Sequence, residues 1–180
     1  MPKLLIKCKE ILEHECIFDK KDGAYQSESF MSNIINLRKV EITDIDDMFE
    51  WRNHLDIRKN FFNQEMISRD EHEKWFMAKL NDPDLTVYMA YHRKERIGSI
   101  RFESRDRVIK TSVMLNPDFL GKGLGPKVIK LGVERFIMEK NPDMQIIAEI
   151  KKGNVASIKA FERAGFEEDF FTYVFKSVKN

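Results

Sequence analysis

Cysteine is nearly missing from this sequence of 180 residues, which has only Cys8 and Cys16. So few thiols argue against a disulfide scaffold. With His14 between them they still lack a fourth ligand and the paired spacing of a zinc site, so they read as reduced structural thiols and no metal is expected. An excess of charge of either sign is missing too: 31 basic residues face 30 acidic ones, a formal net charge of +1. No overall field then draws the chain to nucleic acid or to a membrane surface, and any anion site must be local. No run approaches the roughly 18 apolar residues that a membrane span needs. The opening "MPKLLIKCKEILEHEC" returns to charge after a short apolar run, so a cytoplasmic protein is expected. Low-complexity tracts and internal repeats are absent.

What is present is an ordinary globular composition, 42% hydrophobic and 34% charged, in one domain's length. A chain this long buries about two-thirds of the surface its unfolded form exposes. Residues 1–36 are polar and without sustained period and read as an N-terminal extension; residues 37–180 read as the domain.

Periodicity orders that domain. "INLRKVEI" alternates as a first strand, and Thr43 with Asp46 or Asp47 opens a helix running to about Ile57. Ser68 followed by Glu71 opens a second helix, on which Trp75, Phe76 and Leu80 share a face and which Pro83 stops. "LTVYMAYHR", "RIGSIRFESRD" and "VIKTSVMLNP" read as three strands of an antiparallel meander. Val128, Ile129, Gly132, Val133, Phe136 and Ile137 form one apolar stripe on a helix ending near Asn141-Pro142. "MQIIAEI" reads as a buried strand, "GNVASIKAFERAGF" as a short helix capped by Asn154 and stopped by Gly165, and "EDFFTYVFKSV" as closing sheet. The class is α+β: a mixed, mostly antiparallel sheet flanked by helices, with a parallel pair only around the central helix.

Between the meander and that central helix lies "LNPDFLGKGLGPKVIK". Gly121, Gly123 and Gly125 let the backbone approach a ligand closely, and Pro126 suits the first position of a helix. The free amides of the first turn, the positive end of the helix dipole, Lys122 and Lys127 would together hold a diphosphate. The alternative is a tight strand-to-helix connection with no ligand. A Rossmann fingerprint requires a parallel unit and a different glycine spacing, and a P-loop requires a hydroxyl after Gly-Lys; both fail here.

"LNPDFLGKGLGPKVIKLGVERF", followed about thirty residues on by "GNVASIKAFERAGF", resembles motifs A and B of the GCN5-related N-acetyltransferases (GNAT) over roughly residues 36 to 178. The resemblance implies the GNAT fold and acetyl-CoA as co-substrate. It implies that the amides from Lys122 through Gly123 and Leu124 to Pro126 grip the CoA pyrophosphate, with Leu120 and Gly121 leading in. The strand end at Met114 and Leu115 would pair with the pantetheine arm, and Asn154, Ser157 and Phe161 would line its other side. "FEWRNHLDIRKNFFNQEMISRDEHEKWF" further resembles the branch that acetylates nucleotide-linked amino sugars in pseudaminic acid biosynthesis. That implies a UDP-linked 4-amino-dideoxy sugar as acceptor. Arg52, Arg58 and His72 would hold its diphosphate, the alternative being a solvated basic face with Trp51 and Trp75 in the core.

In that branch a glutamate beside the acceptor amine serves as base, and the match is Glu149, whose alternative is a solvent-facing or salt-bridged surface residue; Glu103 is the second candidate. Two positions depart from the pattern: Leu120 stands where Gln or Arg is usual, and Phe161 where relatives carry a tyrosine that protonates the departing thiolate. Tyr173, Tyr88 and Tyr91 are the candidate substitutes, none favoured by spacing, with Tyr173 expected as the catalytic one. A protein or peptide N-terminal acetyltransferase and a catalytically degenerate acyl-CoA-binding module are the alternative functions; a monomer or homodimer is expected.

Overall fold

A computed structural model describes residues 35–105 and 107–169. The candidate thiol and imidazole ligands Cys8, His14 and Cys16, the N-terminal extension up to residue 34, Tyr173 and most of the closing "EDFFTYVFKSV" lie outside them.

The described chain runs β1 (Ile35–Lys39), α1 (Ile45–Asn53), α2 (Leu55–Arg58), α3 (Arg69–Leu80), β2 (Leu85–His92), β3 (Glu95–Arg105), β4 (Val108–Leu115), α4 (Leu124–Lys140), β5 (Gln145–Ala148) and α5 (Val155–Arg163). Five strands form one sheet in the order β1-β2-β3-β4-β5. The first four are antiparallel neighbours and β4 pairs with β5 in parallel, as the sequence pattern predicts. The parallel pair requires a crossover, which α4 supplies.

The sheet buries both faces. Against one lies α4, whose Val128, Ile129 and Phe136 pack on Ile100 and Phe102; the Phe102 and Phe136 rings stack with centroids 4.4 Å apart. A Cβ at Gly132 would come within 2.7 Å of Ile100 Cγ2, so glycine there seats the helix directly on β3. Against the other face, Met48 and Trp51 of α1 and Phe76 of α3 cluster with Met89.

Helix starts follow local hydrogen bonds. Ser68 Oγ accepts from Glu71 N and Glu71 Oε2 accepts from Ser68 N, the expected capping box of α3. The start of α1 differs from the sequence expectation. Glu41 and Asp44 form a capping box around a 3-10 turn, and Asp44, not Thr43, precedes the helix. Asp44 is fully buried and holds Arg38 in a bidentate pair at 2.7 Å and Arg96 at 3.1 Å. The first helix also breaks at His54, which is extended and caps α2 by accepting from Asp56 N. Strand β5 is half-buried rather than buried, lying at the edge of the described sheet.

Candidate active site

The glycine turn enters α4 through two left-handed residues, Gly121 at φ 73° and Gly123 at φ 70°. Only glycine takes these angles without strain. No side chain caps α4 and no acidic residue sits in its first turn, so its leading N–H groups stay open. Pro126 occupies the third helical position rather than the first expected for it, still within the turn whose N–H groups need no helical partner.

Beside that turn the sheet splays. Strand β5 pairs with β4 from Val108 to Thr111, while β4 continues to Leu115, so among the described residues the outward backbone groups of Ser112 to Leu115 have no strand beside them. The result is a cleft of about 510 Å³, lined by Met114 and Leu115 on β4 and by Leu120, Gly121, Gly123, Leu124, Gly125 and Pro126 on the turn. Asn154, Ser157 and Phe161 line it from α5. Lys122 is not part of the lining; its ammonium sits 4.6 Å from the Phe119 ring centroid. An elongated ligand with an anionic head at α4 and amides along β4 fits this geometry.

Asn154 caps α5 by accepting from Ser157 N at 3.2 Å. Phe161 is 4% exposed and meets Phe166 edge to face at 5.0 Å, so the position that carries a tyrosine in relatives is a core contact here. Neither described tyrosine takes its place. Tyr88 is fully buried and donates to Glu139, and burial with that carboxylate pushes its phenol well above the ordinary range. Tyr91 accepts from Arg96 Nε and lines neither cavity.

A second cavity of about 430 Å³ adjoins the cleft, sharing Phe61, Arg101, Ser112, Val113 and Met114 with it. Its floor is the sheet face of β3 and β4 that carries Ser99 opposite Met114 and Arg101 opposite Ser112; Glu103 and Lys110, the next pair along, line the first cleft. Glu149, just past β5, lines the cleft and takes Lys110 at 2.5 Å. Glu103 lines the same cleft with its carboxylate 3.0 Å from Arg105. Arg101 was not anticipated from the sequence. The signal was available: Ser99, Arg101 and Glu103 recur every second residue on a strand that lies third of five.

Three acceptor candidates occupy places other than an open phosphate fork. Arg52 lines the second cavity, but its guanidinium donates to Asn63 O at 3.0 Å and Glu65 O at 3.4 Å and lies over the Phe61 ring. Arg58 lines neither cavity and donates to Gln64 O. Asn53 exchanges two hydrogen bonds with Ile67, so Trp51-Arg52-Asn53 is a core anchor followed by a clamp on the loop 59–67. His72 lines the second cavity, 3% exposed, with Nε2 3.0 Å from Ile45 O. Burial holds its imidazole below the ordinary 6.5, so the neutral ring donates to that carbonyl.

An uncapped helix start beside a splayed strand pair, with a second cavity adjoining, suits an elongated ligand with an anionic head that meets a second molecule. A family model for the acetyltransferase (GNAT) domain matches residues 35–167, and the chain belongs to that family, the acetyl-CoA-dependent N-acetyltransferases. No curated protein sequence matches it. Among solved structures, spermidine N-acetyltransferase from Vibrio cholerae in complex with CoA and spermine is similar with a TM-score of 0.68 at 20% identity, covering 76% of this chain and 82% of that one. Aminoglycoside acetyltransferase AAC(6')-Ib in complex with coenzyme A is similar at 0.65 and 24% identity, covering 76% and 86%. At such identities the likeness is one of fold.

Proposed function

We propose that the protein transfers acetyl from acetyl-CoA directly to the 4-amino group of a UDP-linked amino-dideoxy sugar. The observation that carries this reading is the junction of the two cavities at Arg101, Ser112 and Met114, which lets an amine in one meet a thioester in the other. The charge of the acceptor cavity supports an anionic acceptor over a polyamine. Arg52 and Arg101 line it against Glu71 alone, and that carboxylate is spent on the Ser68 cap.

In this reading the N–H groups from Gly121 to Gly125 hold the CoA pyrophosphate with Pro126 shaping the turn, and the free edge of Ser112 to Leu115 pairs with the pantetheine amides. Asn154, Ser157 and Phe161 close the far wall. The amine must be neutral to attack. Glu149 takes its proton, with Glu103 the other carboxylate within the cleft. Holding the two reactants together supplies most of the acceleration. The thiolate receives its proton from water or from Tyr173. Arg52 and Arg58 act by fixing the loop that carries Phe61, and His72 by supporting the cavity wall. Acetyl-CoA supply favours a cytoplasmic enzyme, acting as a monomer or homodimer.

The test is CoA release, followed as free thiol, with UDP-4-amino sugars, spermidine, an aminoglycoside and peptide amines in parallel. Turnover confined to the sugar nucleotides supports the proposal. Turnover with peptides alone moves the function to protein N-acetylation, and tight acetyl-CoA binding without transfer to any amine makes the chain a binding module, with Phe161 as its explanation.

A further inference from the structure

Of the described arginines that line the two cavities, Arg163 is exposed and Arg52 is bonded to loop carbonyls, whereas Arg101 is part-buried and unbonded. It is half-buried on β3 and lines both of them. Among the described residues it has no hydrogen-bond or ion-pair partner. Its nearest carboxylate on the strand, Glu103, is already engaged by Arg105 at 3.0 Å and approached by Lys79 at 3.9 Å. Opposite it across the ladder is Ser112, a neutral hydroxyl. By contrast, Arg52 and Arg58 satisfy main-chain oxygens, and Arg38 and Arg96 satisfy Asp44. Desolvation pulls the Arg101 guanidinium below its ordinary range, and the charge of Glu103 offsets this only in part. Proteins rarely keep such a group unless something else completes it.

We propose that Arg101 is the oxyanion-binding residue of the acceptor cavity, forming a forked pair with a phosphate or carboxylate carried by the acceptor. This rests on the reading above that the cavity beside Met114 and Trp75 holds the acceptor. Planar, two-pronged recognition is what distinguishes arginine from lysine, and a phosphate or carboxylate supplies the matching pair of oxygens. The location accounts for selection as well. At the junction of the cavities, an acceptor whose anion meets Arg101 brings its amine toward the thioester, whereas a polycation is repelled by the same group.

The experiment uses the full chain saturated with CoA, so that the helix-end site is filled. Binding is measured by calorimetry for UDP against uridine, and for 4-aminobutyrate against butylamine. Wild type is expected to prefer the anion-bearing member of one pair by about tenfold or more. UDP preference identifies a phosphate, and 4-aminobutyrate preference a carboxylate. Arg101→Gln should abolish that preference and Arg101→Lys should keep part of it, while CoA affinity is unchanged in both. The free protein should gain thermal stability in Arg101→Gln, because an uncompensated charge is removed; a residue with a purely structural role would lose it. No preference in wild type for either anion, or a preference that survives Arg101→Gln, overturns the inference. The two proposals fail separately. UDP-sugar turnover with KM unchanged in Arg101→Gln sinks the role of Arg101 and leaves the function, whereas Arg101-dependent anion binding without sugar turnover leaves the site and removes the sugar.

Discussion

Lys110 Nζ and Glu149 Oε1 lie 2.5 Å apart across the parallel pair β4–β5, where the two strands begin to separate. Both side chains are substantially exposed, 39% and 51%. An ion pair in that setting is worth ~0.2–1 kcal/mol, so it holds the carboxylate at the cleft without locking it. An arriving amine can displace the lysine at little cost. The surface salt bridge is therefore compatible with the role proposed for Glu149 as base.

Glu149→Gln is expected to lower kcat by about a hundredfold while acetyl-CoA affinity, measured by calorimetry, stays at the wild-type value. Lys110→Met should keep turnover within about fivefold, since the pair it breaks is weak. A Glu149→Gln enzyme working at full rate would remove the carboxylate from the proton transfer and turn attention to Glu103.

Substitution along the glycine turn should separate two effects. Gly123 is left-handed with open space around its missing Cβ, so Gly123→Ala meets no atom but strains the backbone by ~1–2 kcal/mol. Its melting temperature should fall, and acetyl-CoA affinity with it, as the amides leave their alignment. At Gly125 an added Cβ makes ordinary contacts, 3.5 Å to Ala160 and 3.7 Å to Leu115, inside a helix that favours alanine. Thermal denaturation of Gly125→Ala should therefore show no loss.

Asp44 joins β1 and β3 through Arg38 and Arg96 and stands at the head of α1. Asp44→Asn keeps the shape and removes the charge that both guanidiniums face. Since each arginine is about one-third exposed, 31% and 34%, water can recover part of the loss. The expected destabilisation is on the order of 2–3 kcal/mol in urea unfolding. A change below half that would mean the solvated arginines need no carboxylate.

The meander and α4 were legible because alternation and the 3.6-residue stripe report burial directly, and Ser68 with Glu71 marked a helix start whose bonds are purely local. The start of α1 was less legible. Thr43 and Asp44 are both good capping residues, and Asp44 is held by Arg38 from β1 and by Arg96, more than fifty residues away. Charge was the least legible feature. Arg52 and Arg58 read from the sequence as phosphate ligands, yet both guanidiniums donate to carbonyls of the following loop, with Arg58 Nε left buried and unpaired among the described residues. Arg101 was not among the residues the sequence pointed to, yet β3 is third in the described sheet and its polar face floors a cavity. A sequence shows where a cation is; only the fold shows whether anything already answers it.

His72 gives the stability of the protein a pH dependence of definite sign. Its imidazole is buried among Phe49, Trp75 and Phe76 and donates to Ile45 O, and burial is the main cause of its lowered pKa. The unfolded chain then takes up a proton near the ordinary 6.5 while the folded chain does not. More protons on the unfolded state mean that stability rises with pH in this window. The contribution is complete above 6.5 and is lost as pH falls from there toward the lower folded value, at no more than ~1.4 kcal/mol per pH unit for one proton. Urea unfolding at a series of pH values should show this decline already between about pH 6.5 and 5.5, before most carboxylates titrate. His72→Gln keeps a donor for Ile45 O and has no proton to gain, so its stability should be flat over the same interval, and an unchanged slope would place the titrating group elsewhere.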